Sequence, residues 1–337
     1  MNIKKDKNDK SIYRQIVDSV CKDIQTGRLQ KGDSLPSLNS LKEKYGISRD
    51  SIFYAYNILK TRGVINSKPG KGYYVINTDV SITRRIMLLF DENSAYKTQL
   101  YNSIIENSDK DDKVDIFYHH QNEQIFQSIT EQVVGNYTHY VVIPIPGEVC
   151  KNALAEMERK GNLLILDYGF EEQHLQYPSV YQDFEQDIYT VLLENQAEFS
   201  AYKKIRMIIP KPVTHTEKEI VPQIKKGFRK FARKISVKTR IGSSLPAKVE
   251  KGVCYILHSD SDLVSLIDQT QQSKLKIGED VGVISFNETP LKRVVDKGVT
   301  TFSTDFVAMG QTVMQMIHGS KQGSNHNPCK LIRRNSF

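Results

Sequence analysis

The apolar positions of the first eighty residues follow a helical spacing and then switch to alternation. Ile12, Ile16, Val20 and Ile24 repeat every four residues beside Tyr13, Val17 and Cys21, which predicts a helix over 11–26, ended by Gly27. A Gly- and Pro-containing turn follows over 28–37. Ser37 then caps a short helix through Lys44 with Leu38 and Leu41 inward. Gly46 turns the chain into a third helix, capped by Ser48 and ended by Gly63, whose apolar face is Ile52, Ala55, Tyr56 and Leu59. Arg49, Asp50, Phe53, Tyr54, Asn57 and Lys60 are left on its other side. Residues 64–67 and 73–76 read as two strands around Lys68-Pro69-Gly70-Lys71-Gly72, a hairpin with a basic, glycine-rich tip. Helix, turn, helix, turn, helix and hairpin together make an α+β winged helix-turn-helix.

The texture changes after a short polar stretch, 79–84, which reads as a linker between a first domain at 1–78 and a second at 85–337. Apolar runs at 86–90, 114–118, 140–145, 163–166, 205–209, 253–257 and 281–286 read as strands. Helical patterns lie between and after them, near 95–107, 122–134, 148–160, 184–200, 217–234, 261–272 and 305–318. Such a βα repeat predicts parallel sheets covered by helices, and its length predicts two lobes.

Charge sharpens the contrast. Residues 1–78 hold 15 Lys/Arg against 7 Asp/Glu, so the whole net charge of +8 lies there, and the remainder holds 32 of each. A local basic excess over a patterned helical segment suits phosphate neutralisation. A short helix with Arg49 at its start fits a major groove, and a basic hairpin tip fits a minor groove. The Gly70-Lys71-Gly72 tip is not read as a phosphate cradle, because no GxxxxGK[ST] and no following helix accompany it.

The four cysteines are far apart and outside any zinc spacing, so they read as reduced thiols, with no metal and no cofactor expected. Residues 1–10 lack the apolar core of a signal peptide, and no apolar run approaches a membrane span, so a cytoplasmic, nucleoid-associated protein is expected. HExxH, GxSxG, Walker A and dinucleotide fingerprints are absent, so no catalytic role is expected.

The first segment resembles the GntR family of bacterial transcription regulators. The resemblance rests on Ile12-Tyr13-Arg14-Gln15-Ile16, Gly27-Arg28-Leu29-Gln30-Lys31-Gly32-Asp33-Ser34-Leu35-Pro36-Ser37, Tyr45-Gly46-Ile47-Ser48-Arg49-Asp50-Ser51-Ile52 and Gly70-Lys71-Gly72-Tyr73-Tyr74-Val75. It implies that Ser48 and Arg49 meet an operator and that the wing around Gly70 touches the minor groove. The candidate DNA-binding residues are Ser37, Ser48, Arg49, Asp50, Ser51, Tyr54, Lys68, Gly70, Lys71 and Gly72. Asn39 and Phe53 stand where many members carry arginine, so base readout by those arginines does not transfer.

In parallel α/β sheets, ligands bind beyond the carboxyl ends of the strands. The residues there are Asp91-Glu92-Asn93, His119-His120, Pro144-Ile145-Pro146, Asp167-Tyr168, Ser259-Asp260 and Asn287-Glu288, the carboxylates, amides and aromatics that a sugar site uses. The two His side chains are expected on opposite faces if the chain is extended there. The run 280–291, with 299–310 and the closing Lys330-Leu331-Ile332-Arg333-Arg334, resembles the effector domain of lac-repressor-type regulators, which has the periplasmic-binding-protein fold. That resemblance implies that Asp167, Ser259, Asn287, Thr304 and Phe306 line a sugar cleft. Asn287 replaces the family's usual Asp, and Ile224 replaces an Arg three residues before Gly227-Phe228, so either the basic anchor for the sugar is missing or another residue such as Lys97 supplies it. The full set of candidate effector-binding residues is Asp91, Tyr96, Lys97, Asp167, Tyr168, Asp183, Ser259, Asp260, Asn287, Glu288, Thr304 and Phe306.

Taken together, the sequence predicts a transcriptional repressor of a carbohydrate-utilisation operon. It would act as a homodimer on a palindromic operator and be switched by a neutral monosaccharide, with no membrane partner. A sugar-binding protein not acting on DNA, and a regulator answering to a nucleoside or amino acid, remain open at this point.

Overall fold

A computed structural model of the chain describes residues 12–80, 84–168 and 176–337, without the side chain of Arg14. Residues 1–11 and part of the expected linker, 81–83, lie outside the described residues. The chain divides into two compact units. One holds the described residues up to Phe90 with Ser108–Val142 and Gly147–Leu164; the other holds Asp91–Asn107, Ile143–Pro146 and the described residues from Ile165 to Phe337.

Within the first unit, α1 (Ile12–Gln25), α2 (Leu38–Tyr45) and α3 (Arg49–Thr61) are followed by β1 (Ile65–Lys68) and β2 (Gly72–Val75). Ile16, Val20, Leu41, Ile52, Ala55, Tyr56 and Leu59 form one core with Ile65 and Val75, so the period-four pattern faces inward as expected. Ser37 and Ser48 each accept a hydrogen bond from the backbone N–H three residues on, satisfying a donor the helix leaves free. Gly46 takes the left-handed conformation, φ 62°, between α2 and α3. The hairpin pairs Ile65 with Val75 and Lys68 with Gly72. One expectation changes here. The stretch read as a plain turn at 28–37 lays its second half along β2: Leu35 N–H donates to Tyr73 O at 2.8 Å, and Val75 N–H to Asp33 O at 2.9 Å. Sequence alone hides this strand-like pairing because Pro36 and Gly32 read as turn residues.

Among the described residues, seven βα-type alternations follow. β3 (Arg85–Phe90), β4 (Lys113–Tyr118), β5 (His139–Val142), β6 (Asn162–Asp167) and β7 (Ser179–Tyr181) join β13 (Ser324–His326) in a sheet of order β13-β7-β6-β5-β3-β4. Interleaved are α4 (Ala95–Glu106), α5 (Glu123–Val133) and α6 (Glu148–Lys160), and β6 runs from the first unit into the second. The second sheet, wholly within the second unit, contains β8 (Lys204–Ile208), β9 (Lys238–Gly242), β10 (Val253–Leu257), β11 (Gly282–Phe286), β12 (Thr300–Thr304) and β14 (Cys329–Ile332), ordered β14-β12-β11-β10-β8-β9. Its strands are parallel except β14, which runs antiparallel to β12. Both faces are covered: Cys254 and Ile256 of β10 enter one core, and Val253, Tyr255 and Leu257 the other. This double burial explains why the strand reads as an unbroken apolar run. The helices flanking the second sheet are α7 (Phe184–Glu194), a turn α8 (Gln196–Phe199), α9 (His215–Ala232) and α10 (Asp260–Gln272), whereas α11 (Phe306–Ile317) packs against α4, where Ser103 donates to Val307 O at 2.7 Å.

The helix expected over 184–200 is broken at Asn195, whose side-chain amide donates to Val191 O at 2.6 Å and closes α7. Gly227 marks a close approach of α9 to α7: a Cβ there would lie 2.3 Å from Glu185 O. His119 and His120 are not on an extended segment. His120 and Gln121 have φ of 50° and 55°, which buries His119 and turns His120 outward. Short strands β7, β9, β13 and β14 were not legible as runs, being three to five residues long and each containing at least one polar residue, with β13 polar throughout.

Candidate functional site

Two regions collect the sequence-predicted residues. The first is the outer side of α3 and the hairpin. Ser48 Oγ accepts from Ser51 N–H at 3.2 Å and lies 2.8 Å from Ser51 Oγ, so Arg49 and Asp50 begin the helix in solvent. Lys60 Nζ donates to Ser67 Oγ at 3.2 Å and ties the helix to the hairpin. At the hairpin tip Gly70 and Gly72 have φ of 78° and 75°, and Lys68 and Lys71 stand exposed. The positive φ values place both glycines where a Cβ would be strained. Tyr54 is placed differently from the outward group that the sequence predicts. Its ring meets Tyr13 edge-on at 4.7 Å, so one side of it packs on α1. Phe53 is the exposed aromatic of this helix, at 44%. Ser37 spends its hydroxyl on the α2 cap.

The second region is a buried polar cluster within the second unit. Lys97, on the first turn of α4, is 3% exposed, and its ammonium pairs with Asp91 Oδ1 at 3.1 Å and with Asp167. Burial alone would lower the Lys97 pKa, but the Asp167 and Asp91 carboxylates outweigh it and hold the ammonium firmly charged. Tyr168 donates to Asp91 Oδ2 at 2.9 Å, and its ring lies 5.8 Å from Lys97 Nζ. Burial, then the Asp91 charge, push the Tyr168 phenol well above its usual range. Gln182 donates to Asp167 and accepts from Thr304, whose hydroxyl sits 2.9 Å from Cys329 Sγ. Asp167 has φ 72° and Asn287 φ 60°, left-handed conformations that Asp and Asn tolerate better than most residues. Two carboxylates thus face one ammonium in a buried site.

Other predicted residues form groups of their own. Tyr96 packs on buried Phe306 at 5.1 Å and donates to Glu92 at 2.7 Å. Ser259 caps α10, and Asp260 pairs with Lys292 at 2.7 Å. Lys292, which sequence reasoning missed, is 3% exposed and donates to Phe286 O and Asn287 O at 2.6 and 3.0 Å, fixing the end of β11. Glu288 is held by Arg334 at 2.6 and 2.9 Å and by Thr301 at 2.5 Å, so its carboxylate is already engaged. Asp183 is exposed and caps α7. Ile224 is buried in the core beside Phe228, and Lys97 does not stand in as a free cation, since its charge is matched by two carboxylates. Gln182 and Cys329 were also missed; Gln182 follows β7, a strand too short to be seen, although residues after strand ends are where polar site groups collect.

His258, directly after β10, contacts Phe286 ring to ring at 5.2 Å. Burial lowers its pKa, with Lys292 adding to the drop and Glu217 and Asp262 opposing it. A histidine whose folded pKa is depressed contributes stability above its unfolded value of about 6.5 and loses it as pH falls. Thermal stability is therefore expected to drop below about pH 6.5, and His258→Gln is expected to flatten that dependence. An equal acid slope in the variant would remove His258 as its source.

Residues 12–75 match the family described as bacterial regulatory proteins, gntR family, and residues 202–337 match the periplasmic binding protein-like domain. The mannosyl-D-glycerate transport/metabolism system repressor of Escherichia coli is 34% identical over 83 residues, 25% of this chain and 35% of that protein. The Uxu operon regulator of Haemophilus influenzae is 34% identical over 70 residues, 21% of this chain and 26% of that protein. The chain spans about a third or less of the length of these curated relatives. By structure, it is similar to a periplasmic binding protein/LacI transcriptional regulator from Alkaliphilus metalliredigens complexed with D-xylulofuranose, with TM-score 0.57, 13% identity, and coverage of 76% of this chain and 99% of that one. It is also similar to a lac repressor dimer bound to operator and an anti-inducer, with TM-score 0.58, 14% identity, and coverage of 77% and 95%. The chain thus joins a gntR-type winged helix-turn-helix to a two-sheet, periplasmic-binding-protein-like α/β domain with lac-repressor-type structural neighbours. No helix among the described residues is long and apolar enough to cross a membrane.

Proposed function

We propose that the chain is a ligand-responsive transcriptional regulator, a repressor of a carbohydrate-utilisation operon acting in the bacterial cytoplasm. The observation that carries this reading is α3: a Ser48-capped helix with Arg49 free at its exposed start, inside a segment that matches the gntR family. In this reading residues 1–78 grip DNA, 79–84 link, and 85–337 bind effector and dimerise, so that two heads meet a palindromic operator. Arg49 and Lys71 meet the groove or its phosphates, with Ser48, Asp50, Ser51, Lys68, Gly70 and Gly72 shaping the approach.

The effector is a neutral monosaccharide held around Asp91, Asp167, Tyr168, Gln182 and Thr304. A site whose carboxylates outnumber its ammonium repels an anionic ligand and offers acceptors to hydroxyl donors. The relatives' names support a sugar-operon role: one represses a mannosyl-D-glycerate system and one regulates the Uxu operon. The fold neighbour holding D-xylulofuranose supports a sugar in this type of domain. A ligand acts on operator affinity only through its different affinity for the two states of the protein.

The test is a thermal-shift panel of neutral pentoses, deoxyhexoses and hexoses beside uronates, sugar phosphates, nucleosides and amino acids. A neutral sugar at about 100 times its Kd is expected to stabilise by about 2.7 kcal/mol and to change operator binding at moderate salt. A response to a nucleoside or amino acid alone would replace the sugar reading. Absence of sequence-specific DNA binding would remove the regulator reading.

A further inference from the structure

The second domain is neutral overall, yet its charges are not evenly spread. Residues 220–249 contain nine lysines and arginines and no aspartate or glutamate. Their centre is α9, which buries Val221, Ile224, Phe228 and Phe231 in the core. Its opposite side carries Lys226, Arg229 and Arg233 at steps of three and four, one helical face. Lys226 pairs with Glu185 at 2.7 Å, and Lys230 pairs with the same carboxylate. Arg229, Arg233 and Lys234 are exposed and, among the described residues, have no carboxylate at ion-pair distance. Lys238 and Arg240 lie on β9, the edge strand of the second sheet, where exposed charge also guards against strand pairing.

Solvation needs charge of either sign, and a surface kept only soluble mixes signs. Here Glu219 begins the exposed face of α9, the rest of that face from Lys226 to Arg233 carries cations alone, and no large apolar side chain in 220–249 is exposed. A protein partner draws most of its binding energy from aromatic or apolar anchors in pockets, which this face lacks. A duplex backbone asks for cations alone, repeated along a line, with no apolar contact.

We propose that the outer face of α9 is a second DNA-binding surface, which holds the phosphate backbone of duplex DNA without reading its sequence. Arg229 and Arg233 are its principal contacts, supported by Lys225 and Lys234. It raises retention on any DNA, so the regulator stays near its operator or holds a second duplex. This surface is separate from the winged helix-turn-helix and does not depend on which effector binds.

The test measures binding of the full chain to a short non-operator duplex by fluorescence anisotropy across a salt series. Arg229→Ala with Arg233→Ala is expected to reduce the slope of log K against log salt by about 1.8, two phosphate contacts at about 0.9 each. The corresponding pair of lysine substitutions is expected to restore the slope, because a phosphate contact needs charge rather than a fork. An unchanged slope overturns the proposal and leaves the face to an acidic protein. A loss that lysines do not restore also overturns it, since misfolding or a specific hydrogen bond would then be the cause. Failure of the operator reading is told apart by Arg49→Ala, which would then leave operator binding unchanged while the α9 slope effect persists.

Discussion

Lys97→Met is expected to destabilise the second domain by about 3–5 kcal/mol, the usual consequence of removing one partner from a buried ionic group. Methionine keeps the length and apolar stem of lysine, so the change removes the charge and little volume. What remains are two carboxylates, Asp91 and Asp167, with 5% and 3% exposure and no cation between them. Asp91 still accepts from the Tyr168 hydroxyl and the Glu92 N–H, and Asp167 from Gln182, but these neutral donors do not neutralise the carboxylates. The measurement is denaturant unfolding followed by circular dichroism, with the gntR-type head serving as the internal reference. Adding Asp167→Asn to Lys97→Met is expected to recover part of the loss, because one stranded charge is then removed as well. A loss below about 1 kcal/mol for the single variant would mean that water reaches the cluster and that the ammonium is not structurally required.

The second large effect belongs to the DNA side. Arg49→Ala is expected to weaken operator binding by about 1–3 kcal/mol, or roughly 5- to 150-fold. Its side chain is exposed at the first position of α3 and packs against nothing in the core, so stability should stay within about 0.5 kcal/mol of the parent. The ligand-induced thermal shift should also be unchanged. Full operator affinity in this variant would show that the helix start does not meet the DNA.

The helices and long strands were legible because burial imposes a period on the residues that form them. The face of α3 is the clearest instance: Ile52, Ala55, Tyr56 and Leu59 are all fully buried, at the positions a 3.6-residue repeat requires. The strand β10 was equally plain, as five buried residues in a row. The short strands were not, because three residues of β13 cannot show a period and their pairing partner lies far away in sequence. In the buried cluster, Asp91, Lys97, Asp167 and Tyr168 were found from their positions after strand ends or by family resemblance, but their mutual bonding was not. Four residues spread over 77 positions carry no sequence signal of being in contact. Lys97 was one possible basic anchor for the sugar; only the fold reveals that two carboxylates match its charge. Lys292 and Gln182 left no trace, since a lone Lys or Gln in a loop reads as solvent-exposed.

The strand β13 closes the first sheet, although it is made after nearly the whole second sheet. Translation therefore delivers the parts out of assembly order. The head has its own core by Val75, whereas both sheets wait for segments near 324–332. At about 5–20 residues per second, that gap lasts roughly 13–50 s. For that interval each nascent chain carries a finished head beside an unfinished effector domain with unpaired strand edges. On the regulatory reading, such a chain is a DNA binder with no way to hear its ligand. Truncated products ending before β13 would accordingly be deaf, aggregation-prone competitors for the operator.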